Sequence, residues 1–207
     1  MSKSLFILGA GGHGGVIADA AKKMNKWKHI YFLDDKLIGK ELLGVQIVDG
    51  IKNINNHRKD DHEFIVGIGD NLTRQTLQNK LEFDGYNIAT VIHPFTSISE
   101  SSVIGPGAII LAGVVINAFV VIGKGCIINT SCSVDHESVI SDFVHLSPGS
   151  RLAGTVFVGA RTWIGTNSTV INNVNIMNDV VIGAGSLVLT DVVEAGTYVG
   201  SPVKKIK

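Results

Sequence analysis

From Ile98 to Val188 every sixth residue is aliphatic, sixteen positions in all, and Glu194 ends the series. Four residues after these positions runs a second column, from Ala108, Val114, Val120, Cys126, Cys132 and Ser138 onward to Ser186. Its members are small, or β-branched and no larger than valine or threonine. A period of six suits neither an amphipathic helix nor a two-faced strand. It suits a β-helix of stacked hexapeptides, each one short strand and a corner, with the aliphatic side chain inside and the small one beside it. Gly105, Gly123, Gly159, Gly165 and Gly183 directly follow aliphatic positions, where a tight corner favours glycine.

The first ninety residues have another grammar. "LFILGAGGHGGVIADAAKK" runs an apolar strand, Leu5–Leu8, into a glycine loop and then a helix. Gly9, Gly11 and Gly14 fit G-x-G-x-x-G, and a second strand, "IYFLDD", ends in Asp34 and Asp35 about twenty residues on, the context of a dinucleotide fingerprint. Amide groups at the helix N-terminus would face a phosphate, and a carboxylate at the strand end would meet ribose hydroxyls or a base. "EFIVGIGDN" reads as a third strand and "NIATVIHP" as a fourth. That is about half a Rossmann domain. A nicotinamide dinucleotide needs two such halves, so the segment suits one nucleotide carrying a group on its phosphates.

The "GAGGHG" loop, the "LDD" strand end, the "IGDN" segment followed by Arg74, and "NTSCSVDHESVISDFVHLSPGSRLAG" within the hexapeptides together resemble the bacterial sugar-nucleotide acetyltransferases. These include the UDP-4-amino-sugar and perosamine N-acetyltransferases, with sialic acid O-acetyltransferases as relatives. The resemblance implies an α/β plus all-β chain: a small Rossmann-like sugar-nucleotide domain over residues 1–92, then a left-handed parallel β-helix over 93–207. It implies residues eighteen apart stacked coil on coil, acetyl-CoA as co-substrate and a homotrimer with active sites at its seams. It assigns Gly11, His13, Asp34, Asp35, Gly69, Asn71 and Arg74 to the sugar nucleotide, and Asn129, His145, Gly154, Ala184 and Lys204 to acetyl-CoA, with Lys205 beside Lys204. Gly15 stands where relatives often carry a longer, basic residue.

His136 falls two residues after an inward aliphatic, in a slot filled elsewhere mostly by small residues: Ala112, Ala118, Thr130, Pro148, Gly154 and Ala160, with Lys124 and Asp142 as the exceptions. A histidine beside a trough of small residues fits acyl transfer from a long, thin thioester. Imidazole titrates near neutrality and serves as a base toward an attacking amine. A carboxylate must orient it. Asp135 and Glu137 flank it, the resemblance favours Glu137, and adjacent strand residues point to opposite faces, so that pairing requires a corner or bulge. The oxyanion needs a donor, which the resemblance places at the Gly154 N–H. A hydroxyl acceptor remains open beside the amine.

His145 belongs to an outward column with Val103, Ile109, Val115, Val121, Ile127, Val139, Phe157 and Trp163. An exposed apolar stripe of that size calls for a partner surface. His145 and His136 are half a coil apart, so one site uses both only across subunits.

Composition narrows the remaining classes. Eighteen basic and eighteen acidic residues give no net charge, so no general basic surface for nucleic acid is expected. No apolar run reaches membrane-spanning length and the N-terminus lacks a signal-peptide layout, so a cytoplasmic enzyme is expected. Cys126 and Cys132, the two cysteines, sit in the small inward column as buried filler. A zinc enzyme on the same scaffold would need three histidine ligands. Only His136 and His145 lie within the coils, with His93 at the edge, so no metal is expected. An inert scaffold would leave the glycine loop and His136 together unexplained.

Overall fold

The computed structural model describes residues 3–58 and 60–207, in two compact units, Met1–Pro94 and Phe95–Lys207. No helix among the described residues is long and apolar enough to cross a membrane.

In the first unit, β1 (Ser4–Leu8) is buried along its whole length and pairs in parallel with β2 (His29–Leu33) on one side and β5 (His62–Val66) on the other. Helix α1 (Gly12–Met24) follows β1 and buries Ile17, Ala18, Ala20 and Ala21. It starts at Gly11 with no side-chain cap and ends at Asn25 in the left-handed conformation. Helix α2 (Asn71–Phe83) is capped by Asp70, whose carboxylate accepts from the Thr73 N–H at 2.8 Å. The glycine loop is fixed by close approach: a Cβ on Gly14 would overlap the Gly9 carbonyl, and one on Gly67 would stand 2.9 Å from Ile7 Cγ2.

This unit gains one element the sequence reading did not include and loses most of one that it did. The segment "ELLGVQIVDG" forms a hairpin of β3 (Glu41–Leu42) and β4 (Val45–Asp49), and β4 continues the parallel sheet in the order β3-β4-β2-β1-β5. The segment expected as a fourth strand contributes only a bridge from Ile88 to Phe64 and the two-residue strand Val91–Ile92. At Gly15, Leu42 of the hairpin lies 3.3 Å from where a Cβ would stand, so any side chain there would have to push the leucine aside by a few tenths of an ångström.

The second unit is a parallel β-helix of two-residue strands. Each pairs with the strand eighteen residues on, so Ser133–Val134 lies between Val115–Ile116 and Arg151–Leu152. Three faces result, carrying 115, 133 and 151; 121, 139 and 157; and 127, 145 and 163. The sixfold aliphatic column fills the interior, with Val134, Ile140, Leu146, Val158, Ile164 and Val170 all fully buried. The small column has a polar logic as well. Ser138, Ser150, Thr162 and Ser168 each donate a hydroxyl hydrogen to the carbonyl fifteen residues later, and the Cys126 and Cys132 thiols do the same toward Ser141 and Ser147. Buried hydroxyls are thereby satisfied. Both cysteines are free, and burial pushes the Cys132 thiol up to about 11.

The corners obey a rule that glycine content did not reveal. Every sixth residue from Gly107 to Gly185 has a positive φ, between 56° and 75°. Nine of these fourteen are not glycine, among them Phe119, Glu137, Phe143, Thr155 and Arg161. The expected corner glycines lie two residues earlier in the repeat, outside the left-handed region. They are small because the next coil is close: a Cβ on Gly105 would stand 2.7 Å from Gly123 C, and one on Gly165 2.6 Å from Ala184 N.

The outward apolar column is divided among the three faces. Val103, Val121, Val139 and Phe157 stack on one face and are 60, 40, 39 and 39% exposed. Ile109 and Ile127, expected to be exposed with them, belong to the His145 face and are fully buried. The C-terminal segment folds back as an antiparallel pair, Gly196–Val199 with Lys204–Lys205.

Candidate active site

His136 sits on the corner between strands Ser133–Val134 and Val139–Ile140, next to the left-handed residue Glu137. The positive φ of 58° at Glu137 breaks strand alternation and turns its carboxylate back to the imidazole, with His136 Nδ1 and Glu137 Oε2 3.1 Å apart. Asp135, the other flanking acid, is engaged elsewhere. Its Oδ1 accepts from Asn117 Nδ2 at 2.7 Å and from the His136 backbone N–H at 2.8 Å, and these bonds hold its carboxyl below the usual range. Glu137 N–H donates to Ala118 O and Thr155 N–H donates to His136 O, so the corner is fixed from the coils on both sides. The imidazole rests on Gly154, where a Cβ would stand 2.5 Å from His136 Nε2. Both side chains of the pair are more than half exposed, and a polar contact so open to water contributes little to folding. Its geometry therefore has little to do with stability.

His145 lies on the third face, away from the corner that carries His136, and one chain does not bring the two together. His145 stacks on Trp163 with centroids 5.7 Å apart and planes 2° from parallel. Its Nε2 lies 3.3 Å from Asn129 Nδ2, so two residues assigned to acetyl-CoA are neighbours. Trp163 Nε1–H donates to Ser147 Oγ at 2.7 Å. Ala184 is an exposed corner residue farther along the coil, and Lys204 is exposed in the terminal hairpin. Lys205 Nζ is paired with Glu194 at 2.8 Å.

In the first unit a pocket of about 470 Å³ opens at the C-terminal ends of β1, β2 and β5. Gly11, His13, Asp34, Asp35 and Gly69 line it, together with Lys36 and Ile51, which the sequence did not single out although Lys36 directly follows the "LDD" end. Asp34 also holds the glycine loop, accepting from the Ala10 N–H at 3.0 Å and the Lys36 N–H at 2.9 Å. Asn71 and Arg74 do not line this pocket. Arg74 is fully buried and donates to the Ile68 and Gly69 carbonyls and to Asn71 Oδ1, so it clasps the 67–69 wall from behind. Burial and then the Arg74 charge lower the His13 pKa to about 4. Among the described residues no group of three or more His, Cys, Asp or Glu side chains is arranged to hold a metal ion.

Residues 4–81 match the family model of the PglD N-terminal domain. UDP-N-acetylbacillosamine N-acetyltransferase of Bacillus subtilis is 35% identical over 107 residues, 51% of this chain and 50% of that protein. The chain spans only a third to a half of the first curated relatives that it matches. Solved structures match throughout. The acetyltransferase domain of PglB from Neisseria gonorrhoeae in complex with acetyl coenzyme A is 30% identical, with TM-score 0.97 over 100% of both chains. PerB from Caulobacter crescentus, in complex with CoA and GDP-perosamine, is 33% identical, with TM-score 0.93 over 99% of this chain and 97% of that one. With these matches at 30% and 33% identity covering both units, the Rossmann-like half and the left-handed β-helix alike, the chain belongs to the bacterial sugar-nucleotide acetyltransferase family.

Proposed function

We propose that the protein transfers an acetyl group from acetyl-CoA to the amine of a nucleotide-linked 4-amino sugar, with His136 as general base and Glu137 as its orienting carboxylate. The observation that carries this reading is the His136–Glu137 contact set against side-chain-free Gly154. If Nδ1–H donates to Glu137, Nε2 is left as the basic nitrogen. The amine nitrogen attacks the thioester carbonyl, and a C–N bond forms as the C=O becomes an oxyanion beside the Gly154 N–H. His136 Nε2 takes the proton from the attacking nitrogen. The C–S bond then breaks, and the imidazolium returns the proton to the departing thiolate. Glu137 favours the cationic imidazole between these steps.

The names of the relatives support an amine acceptor, since those proteins are N-acetyltransferases of bacillosamine and perosamine sugars. In this reading the pocket of the first unit holds the nucleotide, and Asn129, His145, Gly154, Ala184 and Lys204 contribute to acetyl-CoA binding. A homotrimer brings His145 of one chain to His136 of the next and covers the Val103–Phe157 face. The test is purified protein with acetyl-CoA and GDP-perosamine, a UDP-linked 4-amino sugar, or their 4-hydroxyl parents, with release of free CoA monitored. Transfer to a 4-amino sugar that falls roughly 10²–10⁴-fold in His136→Ala is the expected result. Transfer confined to the hydroxyl sugars, or undiminished in His136→Ala, overturns the reading.

A further inference from the structure

The turn that follows β4 is wound around one carboxylate. Asp49 Oδ1 accepts from the Gly50 N–H at 2.8 Å and from Asn53 Nδ2 at 2.7 Å, while Asn56 Nδ2 and His57 Nε2 lie 3.4 and 3.1 Å from Oδ2. Groups from Gly50 to His57 thus converge on Asp49 and gather Ile51–His57 into a short 3-10 helix. These bonds, led by that from Asn53, hold the carboxyl at about 2, so Asp49 is ionised and accepts on both oxygens. Asp49 itself does not line the pocket at the ends of β1, β2 and β5.

The turn it organises borders that pocket. β4 slips by one residue against β2, so Phe32 faces Ile47 but Leu33 faces Asp49. A bulge of this kind re-aims the chain beyond it. The Asp34 N–H donates to Asp49 O at 2.9 Å, and Gly50 is buried against Asp35. A Cβ on Gly50 would overlap Asp35 Oδ1 and would stand 3.5 and 3.6 Å from Cγ and Cα of that residue. Gly50 has φ −82° and ψ 154°, an extended conformation open to any L-residue. Its missing side chain therefore makes room for the Asp35 carboxylate and is not a need of the backbone. Farther along the turn, the Lys52 nitrogen lies 3.5 Å from the same Oδ1, and Ile51 forms part of the pocket wall.

We propose that Asp49 and Gly50 are positioning residues for nucleotide binding: Asp49 fixes the turn, Gly50 leaves the space, and together they set where the Asp35 carboxylate stands in the pocket. The proposal rests on the reading that this pocket holds the nucleotide. An exposed aspartate samples several rotamers, and one held in place gives up less freedom when it meets a ligand donor.

The test is a pair of double-mutant cycles. Gly50→Ala and Asp49→Asn are each made in the wild-type chain and in Asp35→Ala, and calorimetry measures binding of GDP, UDP and dTDP. In the wild-type background each variant weakens the nucleotide that binds by about tenfold, and in Asp35→Ala each changes it by less than about twofold, because the partner through which it acts is gone. The urea midpoint of Gly50→Ala stays level or rises slightly, since alanine narrows the unfolded ensemble. KM for the sugar nucleotide rises more than kcat falls. Equal losses in the two backgrounds, or undiminished affinity in either single variant, overturn the proposal. So does a collapsed midpoint in either, which would make that residue a requirement of the fold. Failure of the reading beneath it looks different: wild type then binds none of the three nucleotides, and the positioning role falls with the pocket. If a nucleotide binds and the cycles close as expected while no sugar nucleotide is acetylated, the transfer reading fails alone.

Discussion

The imidazole of His136 occupies the space that a side chain at position 154 would fill: a Cβ there would lie 2.5 Å from both Nε2 and Cε1 of the ring. The imidazole and the glycine are therefore one unit. Gly154→Ala should displace the ring by its single methyl group and lower kcat by about 10² or more, in line with loss of a positioned base. Acetyl-CoA affinity, read by calorimetry, should change far less than kcat. Full kcat in a folded Gly154→Ala protein would show that the ring position seen here is not the working one.

Glu137 should separate stability from activity. An L-residue in the left-handed region pays about 1–2 kcal/mol in local strain, and Glu137 has φ 58°. Glu137→Gly removes that strain along with the carboxylate. Urea unfolding should show stability unchanged or raised by up to about 1 kcal/mol, while kcat falls ten- to a hundredfold. Glu137→Gln, which keeps the strain, should lose activity without the gain. A Glu137→Gly protein as active as wild type would remove Glu137 from the mechanism.

The two aspartates after β2 should behave differently. Asp34 accepts from the Ala10 N–H inside the glycine loop, whereas Asp35 is more exposed and has a long 3.5 Å contact with the Lys52 N–H. Asp34→Ala leaves a loop donor unsatisfied and should cost about 1–3 kcal/mol of stability as well as nucleotide affinity. Asp35→Ala should lose affinity for GDP or UDP with an almost unaltered denaturation midpoint. Equal stability losses in the two variants would contradict this division.

His13 should make the first unit sensitive to mild acid. Its folded pKa of about 4 lies below the ordinary 6.5 because the ring is buried beside Arg74. Between those values the unfolded chain holds a proton that the folded one does not, so stability falls as pH falls from 6.5 toward 4 and the loss is complete below 4. The full effect is roughly 3 kcal/mol. Unfolding free energies across this window should slope for wild type and flatten for His13→Gln. An NMR titration that places His13 near 6.5 would refute the linkage.

The β-helix was legible because its core repeats: sixteen aliphatic positions in phase leave one packing solution. The corners were not, since nine of fourteen left-handed positions carry ordinary side chains, and packing on both sides enforces a φ that composition does not advertise. That hidden turn also brings Glu137, rather than Asp135, to His136 Nδ1, a pairing that spacing left open. The surroundings of Arg74 were hidden for a related reason: the resemblance assigns it to the sugar nucleotide, and only the folded chain shows three protein acceptors near the start of α2 using its donors. The β3–β4 hairpin escaped notice because its strands are only two and five residues long, too short for their alternation to stand out from the glycine loop before them and the turn after them.

Because each coil repeats the one before it in strand, small-column hydroxyl and left-handed corner, eighteen residues form an interchangeable unit. Inserting or deleting one such unit between positions 154 and 188 would leave the His136 corner and the terminal hairpin each chemically intact and change their separation by one strand spacing, about 4.8 Å. Inserting a single residue would instead turn every later side chain inside out. Length along this axis can thus be altered in whole steps, so the separation of the His136 corner from the terminal hairpin is a quantised property of the chain, adjustable by duplication without touching either end.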